Sequence, residues 1–157
     1  MKQQVGRIPG LWHIEYQYSI GAMASAFFDR LKEGKIVGVC CESCDRVFVP
    51  PKGFCEYCFR PVEHLVELDG RGEIMAVSVV TTPFPGSPDV PYCVAYVRLD
   101  GATSSIANFV RGVDLGDGSA MPDSIRVGAS VNVVFAQEPA GRITDFWFEP
   151  TPTQRHP

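Results

Sequence analysis

Charge is what this chain has least of. Asp, Glu, Lys and Arg make up only 20% of its 157 residues, against about 25% in an ordinary globular domain. Nor is there a basic excess, since 14 Lys and Arg face 18 Asp and Glu for a net charge of -4. That balance lacks the surplus of cations with which proteins neutralise phosphates, and it counts against non-specific nucleic-acid binding. No apolar run approaches the ~20 residues of a membrane-spanning helix. The opening Met1-Lys2-Gln3-Gln4 lacks the basic-then-apolar build of a secretory signal, so a cytoplasmic protein is expected. Histidine is scarce: His13, His64 and His156 are the three, and none sits in a strand–turn–helix setting that would present a nucleophile. Disorder is excluded on other grounds, because 45% of the residues are hydrophobic and the net charge is small. A chain of this length buries about 70% of the surface it exposes when unfolded. With so little charge to cover the remainder, apolar patches stay exposed, and such patches often mark a partner's footprint.

What the chain does have is clustered cysteine. Five of six fall between Cys40 and Cys58, and four of these form Cys41-Glu-Ser-Cys44 and Cys55-Glu-Tyr-Cys58, two C-x2-C turns separated by ten residues. Zinc binds four thiolates at the corners of a tetrahedron, each about 2.3 Å from the metal. One C-x2-C turn aims two sulfurs at a point, and a second turn returning on a short hairpin completes the shell. The linker suits this: residues 45–49 can form a strand and turn, and Pro50-Pro51-Lys52-Gly53 bends the chain before the second pair. A closed shell leaves no open coordination position, so the expected zinc is structural and supplies folding energy that a small module with little core lacks. Two alternatives stay open here: iron held as in rubredoxin uses the same ligands, and an oxidising compartment would favour disulfides. Cys40 would break the symmetry of the two turns and reads as a strand residue beside the site, while His64 is surplus to a filled shell. Cys93 shares an apolar strand face with Ala95, Val97 and Leu99 and has no basic group on that face; it reads as core, not nucleophile.

Residues 1–20 read as irregular, with Pro9-Gly10 and an aromatic cluster of Trp12, Tyr16 and Tyr18 that must pack on the domain or on a partner. A helix is predicted over 21–33, with Met23, Phe27, Phe28 and Leu31 as an apolar stripe and Gly34 as its C-terminal cap. The stripe serves equally well as core or as docking face. Trp12, Tyr16, Tyr18, Phe27, Phe28 and Leu31 are therefore the candidate partner interface. Beyond Pro61 the hydrophobic period becomes two, and strands are predicted at 63–69, 72–82, 92–99, 103–110, 130–136 and 143–148. Five or six short strands in ~90 residues, separated by Gly- and Pro-bearing turns, point to a small closed barrel without sticky edges. The expected organisation is mainly β: an N-terminal helical docking segment at 1–35, a ribbon at 36–62, a barrel at 63–150 and a loose tail at 151–157.

In order along the chain come Phe27-Phe28-x-x-Leu31-x-x-Gly34-Lys35-Ile36, Cys41-x2-Cys44, Val49-Pro50-Pro51, Cys55-x2-Cys58 and Leu68-Asp69-Gly70-Arg71-Gly72-Glu73-Ile74. Pro91-Tyr92-x-Val94-Ala95-x-Val97-x-Leu99-Asp100-Gly101 and Ile125-Arg126-Val127-Gly128-x-x-Val131 follow. This series resembles the zinc-ribbon/OB-fold proteins grouped as DUF35, over roughly residues 20–150. The resemblance implies a rubredoxin-like zinc ribbon followed by an OB-fold barrel, with a structural Zn2+ at Cys41, Cys44, Cys55 and Cys58. It also implies a companion subunit rather than a free-standing enzyme. Members of the family accompany thiolases, thiolase-like aldolases of steroid side-chain breakdown and, in archaea, the thiolase/HMG-CoA synthase assembly. A thiolase-fold partner is implied here, in a heterotetramer with a thiolase dimer. A coenzyme A ester is implied as the ligand of the complex, and Lys52 and Arg71 are candidate contacts for its phosphates. Tyr16-x-Tyr18-x-x-Gly21 and the helix look most like the thiolase-accompanying branch, which includes the benzoylsuccinyl-CoA thiolase of anaerobic toluene degradation. The reaction so implied is thiolytic cleavage or formation of a 3-oxoacyl-CoA, catalysed by the partner.

Two other functions compete. Zinc ribbons and OB barrels also serve as single-stranded nucleic-acid modules, which need a basic groove interleaved with aromatics. Arg98, Arg111, Arg126 and Arg142 are instead spaced singly among acidic residues. An independent thioester hydrolase would need a general base, and Asp114, Asp117 and Asp123 lie in a Gly-rich stretch where Asp is more simply a turn residue.

Overall fold

The computed structural model describes residues 9–10 and 13–151. Trp12 and the tail from residue 152 lie outside the described residues. The one α-helix among the described residues, α1 (Gly21–Lys32), ends where Gly34 takes a left-handed φ of +70°. The Gly34 N–H then donates to the Leu31 carbonyl and the Lys35 N–H to that of Arg30, each at 3.0 Å, a reversal that a side chain would strain. Phe27 and Leu31, one turn apart, are 2% and 0% exposed and pack into the barrel core with Phe28 half-buried beside them. That settles the stripe and corrects part of the expected interface. Phe27 and Leu31 are spent on anchoring the helix to its own barrel and offer nothing to a partner.

The reversal launches β1 (Ile36–Cys41), the centre of a three-stranded sheet in the order β2–β1–β3. β2 (Arg46–Phe48) returns from the first cysteine turn and pairs antiparallel with β1, Cys41 opposite Arg46. Its outer edge is closed by a later segment. The Thr103 N–H donates to the Val47 carbonyl at 2.8 Å while Thr103 Oγ1 accepts the Val47 N–H at 3.1 Å; Ser104 Oγ accepts from the Val49 N–H at 2.7 Å and donates to the Val49 carbonyl at 3.0 Å. The strand predicted from residue 103 therefore begins only at Ile106. The strand predicted at 63–69 forms as β3 (His64–Leu68), but it pairs with β1, from Ile36 opposite Leu68 to Cys40 opposite His64, and is not a barrel strand. An apolar central strand needs neighbours on both sides, and the turn at Asp69-Gly70 then redirects the chain.

The barrel is closed in the order β4–β5–β6–β8–β7, from β4 (Arg71–Val80), β5 (Tyr92–Leu99), β6 (Ile106–Val110), β7 (Ser130–Phe135) and β8 (Phe146–Pro150). A bulge between Ile74 and Ala76 bends β4, so that its first residues pair with β7 while its full length pairs with β5; such bulges let a small sheet curl shut. Ile74, Val97, Leu99, Ile125, Val131 and Phe148 fill the interior at 0 or 1% exposure.

The strand predicted at 143–148 opens instead with a short 3-10 turn, Ile143–Asp145. The buried Asp145 carboxylate causes this: it accepts the backbone N–H groups of Ala140 and Arg142, both at 2.7 Å. Those bonds, that of Arg142 foremost, hold its pKa below the usual carboxylate range against the opposing effect of burial. A lowered folded pKa contributes stability above the unfolded value of about 4 and loses it as pH falls through the folded value. Asp145→Asn is thus expected to lower the melting temperature at pH 7, and the gap from the native chain should shrink on acidification below about pH 4. A gap independent of pH would show that the charge is not what the turn uses.

Candidate metal centre

The two cysteine turns meet at one end of the ribbon sheet. Cys41 closes β1 and its carbonyl accepts the Cys44 N–H at 3.1 Å. In the second turn the Phe59 N–H donates to the Cys55 carbonyl, and the Cys55 N–H to that of Arg60, both at 2.9 Å. Both turns end the same way: the residue after the second cysteine, Asp45 or Phe59, is left-handed, with φ of 50° and 58°. Asp tolerates that conformation; Phe does not readily, and its adoption marks a turn held by its surroundings.

The four sulfurs converge. Their ligand atoms all lie within 4.8 Å of one another, and Cys41 Sγ is 3.7 Å from Cys58 Sγ. A zinc–thiolate tetrahedron with 2.3 Å bonds has an edge of about 3.8 Å, so the donor set fits. Cys41 and Cys55 are buried and Cys44 and Cys58 half-buried. As free thiols they contend for protons. Cys44 is pushed up to about 12, first by its hydrogen bond to Cys58 and then by burial, and Cys41 is raised chiefly by burial. Burial also acts to raise Cys55, but the backbone N–H groups of Cys58 and Tyr57 outweigh it and bring this thiol down to about 6. A bound divalent metal replaces such protons and cross-links the two turns. Among the described residues these four are the only candidate metal-binding cluster, and a shell of four thiolates is the donor set of a structural zinc.

The other cysteines fall where the sequence places them. Cys93 is 1% exposed and burial pushes its thiol up to about 11, which keeps it protonated and unreactive. Cys40 stands opposite His64 at the sheet edge, and His64 Nδ1 faces Glu42 at 3.5 Å rather than the sulfurs. Lys52 and Arg71 are not brought together. Lys52 lines a cleft of about 390 Å³ between the start of α1 and the ribbon and pairs with Glu56. Arg71 lines a separate cleft of about 430 Å³ along β4 and β7 and is held by Asp69 at 2.7 Å. Asp114 and Asp117 accept the N–H groups of Gly116 and Ser119, both at 2.9 Å, as turn residues do, and Asp123 pairs with Arg126.

Tyr16 and Tyr18 are 74% and 73% exposed. Sequence reasoning missed a second group, Phe54, Tyr57 and Phe59, which stand 52%, 59% and 76% exposed around the second cysteine turn. Their signal was present: three aromatics in a module too small to bury them. Tyr57 stacks on Phe48 at 6.3 Å between ring centroids and carries the Arg46 guanidinium 3.8 Å above its ring.

A four-cysteine ribbon joined to a five-stranded closed barrel defines a zinc-ribbon/OB-fold protein. Residues 28–63 match the rubredoxin-like zinc ribbon domain of ChsH2 and residues 65–136 its C-terminal OB-fold domain. The chain belongs to the DUF35 family of zinc-ribbon/OB-fold proteins. A "DUF35 domain-containing scaffold protein" of Methanocaldococcus jannaschii is 26% identical over 102 residues, which span 64% of this chain and 67% of the relative. Two solved structures share the fold. The Ltp2-ChsH2(DUF35) aldolase superposes with a TM-score of 0.63 at 23% identity, over 85% of this chain and 98% of its counterpart. A DUF35 protein of unknown function from Sulfolobus solfataricus gives 0.59 at 23% identity, over 83% and 84%.

Proposed function

We propose that this chain is the non-catalytic, zinc-pinned scaffold subunit of a thiolase-type acyl-CoA enzyme. The observation that carries the reading is the stretch before α1, where Ile14, Tyr16, Tyr18 and Ile20 stand 67%, 74%, 73% and 43% exposed. Large apolar side chains held in water just ahead of an anchored helix are what a docking element offers. The exposed aromatics of the ribbon add further apolar surface. The thiols agree with this division of labour, since four converge on the metal centre and Cys93 is buried in the barrel core. The curated relative's name, a scaffold protein, and the joint naming of a DUF35 chain with an aldolase agree with this reading.

In the finer proposal the partner is a thiolase-fold dimer, two copies of this chain complete a heterotetramer, and the complex cleaves or forms a 3-oxoacyl-CoA. By resemblance to the thiolase-accompanying branch, benzoylsuccinyl-CoA is the substrate to try first. Coenzyme A is proposed as ligand of the complex, since Lys52 and Arg71 each already have a carboxylate partner and would meet its phosphates only alongside groups of the other subunit. Free cysteines throughout suit the reducing cytoplasm. The test is reconstitution with a thiolase-fold protein from the same source. A stable complex and a thiolysis that neither component shows alone are expected; full activity in the large component by itself would reduce this chain to a stabiliser, and failure to associate would end the proposal.

A further inference from the structure

In His13-Ile14-Glu15-Tyr16-Gln17-Tyr18-Ser19-Ile20 every second residue is apolar and every other one polar. This is the period of a strand with one buried face, and Ile and Tyr are among the residues that strands favour. Up to Ile20, which caps α1 with helical backbone angles, the segment belongs to no helix, strand or turn of the fold, and all eight residues are exposed. Its side-chain contacts run from i to i+2 on both sides. The Tyr16 and Tyr18 rings lie 5.9 Å apart at 33°, and His13 Nε2 is 3.1 Å from Glu15 Oε1. Neighbours two apart meet on an extended backbone, not on a helical one.

Among the described residues nothing completes such a strand. The barrel strands are already paired in a closed order, β4–β5–β6–β8–β7. The β2 edge is covered by Thr103 and Ser104. The β3 edge carries exposed His64 and Glu67, with Glu42 facing the first and Lys35 the second, and charged side chains of this kind discourage a further strand, including one from a second copy. A segment settling into an irregular pocket would not need strict alternation, and a docking helix would show a period near four. Period two answers to a sheet edge, where backbone N–H and C=O groups supply affinity and alternate side chains supply specificity.

We propose that residues 13–20 add as a β-strand to an open sheet edge of the acyl-CoA enzyme partner. Ile14, Tyr16, Tyr18 and Ile20 lie against an apolar shelf of that protein, with Glu15 and Gln17 turned to water. The inference rests on the partner reading above and specifies its contact. Since α1 is fixed to the barrel through Phe27 and Leu31, the added strand also sets where ribbon and barrel sit on the partner.

Residue-resolved amide hydrogen exchange on the isolated chain and on the complex tests this. In the isolated chain the amides of 14–20 should exchange at unprotected rates; in the complex every second one should slow by roughly 100-fold or more. A Tyr16→Ser/Tyr18→Ser variant, which disturbs only exposed rings, should keep its fold and bind the partner at least about tenfold more weakly. A complex that forms with contiguous protection or none would overturn the strand and leave the partnership standing. Alternating protection that instead builds up with concentration in the isolated chain would overturn it in favour of self-pairing, and no complex at all would remove both readings.

Discussion

A Cys55→Ser chain should purify with almost no zinc and a melted ribbon. Cys55 is 0% exposed and its sulfur takes the Tyr57 N–H at 3.4 Å, so it is both ligand and internal support of the second turn. Serine is a poor zinc ligand at neutral pH, and three thiolates close the shell badly. Structural zinc in small modules is bound with an apparent ~10–16 kcal/mol at neutral pH, and that binding energy is folding energy. The ribbon has little else to draw on, because its buried cluster consists of Val39, Cys41, Phe48, Cys55 and Val62, two of them ligands. Elemental analysis and thermal melting read the result, and a strong chelator added to the native chain should reproduce it. Cys40→Ser is the matched control, one residue from the shell but outside it, and should keep its zinc. Full zinc content and unchanged melting in Cys55→Ser would reject the four-cysteine assignment.

The second large effect is expected at Gly72, and for a different reason. This residue lies opposite Leu99 on β5 and Val131 on β7, where β4 is pinched between two neighbours as the barrel closes. A Cβ added there would sit 2.6 Å from the Arg98 carbonyl oxygen, 2.8 Å from Val97 Cγ1 and 3.0 Å from Leu99 Cα. The first and last are backbone atoms, so no rotamer relieves the clash and the strands must part. Gly72→Ala should cost about 3 kcal/mol, at the upper end of overpacking, and Gly72→Val more. Against a total of about 5–15 kcal/mol for a domain of this kind, the Val variant should fail to fold or melt near room temperature. Denaturant titration measures the Ala variant; an unchanged midpoint would mean that β4 is not held between β5 and β7. The two substitutions should fail in distinguishable ways, one losing metal and the other losing the barrel.

Much of this architecture can be read from local pattern. The C-x2-C turns converge because covalent spacing aims their sulfurs, and the period of two beyond Pro61 marks all five barrel strands to within a few residues. The misreadings are of another kind. Periodicity tells which side chains share a face but not what covers it, so Phe27 and Leu31 counted equally as core and as docking surface until the barrel was seen to bury them. The neighbour of a strand is likewise not a local property; residues 63–69 look no different from barrel strands, and only the competition for the second side of β1 moves them to the ribbon. Thr103 and Ser104 carry strand propensity, yet their hydroxyls are taken by the backbone at Val47 and Val49. The aromatics Phe54, Tyr57 and Phe59 follow no period, so their spacing does not tell an exposed ring from a buried one.

The placement of β3 bears on how this chain can be cut. The matched ribbon domain ends at residue 63 and the matched barrel domain begins at residue 65, which looks like an invitation to clone the halves separately. A ribbon fragment so made would leave one flank of β1 bare, and a barrel fragment would trail Leu65 and Leu68 as greasy, unmated leader sequence. A cut at the Asp69-Gly70 turn, six residues downstream of the matched ribbon boundary, keeps β3 on its sheet but still parts Phe27 and Leu31 from the core they share with the barrel. Helix, ribbon and barrel are therefore best moved as one piece.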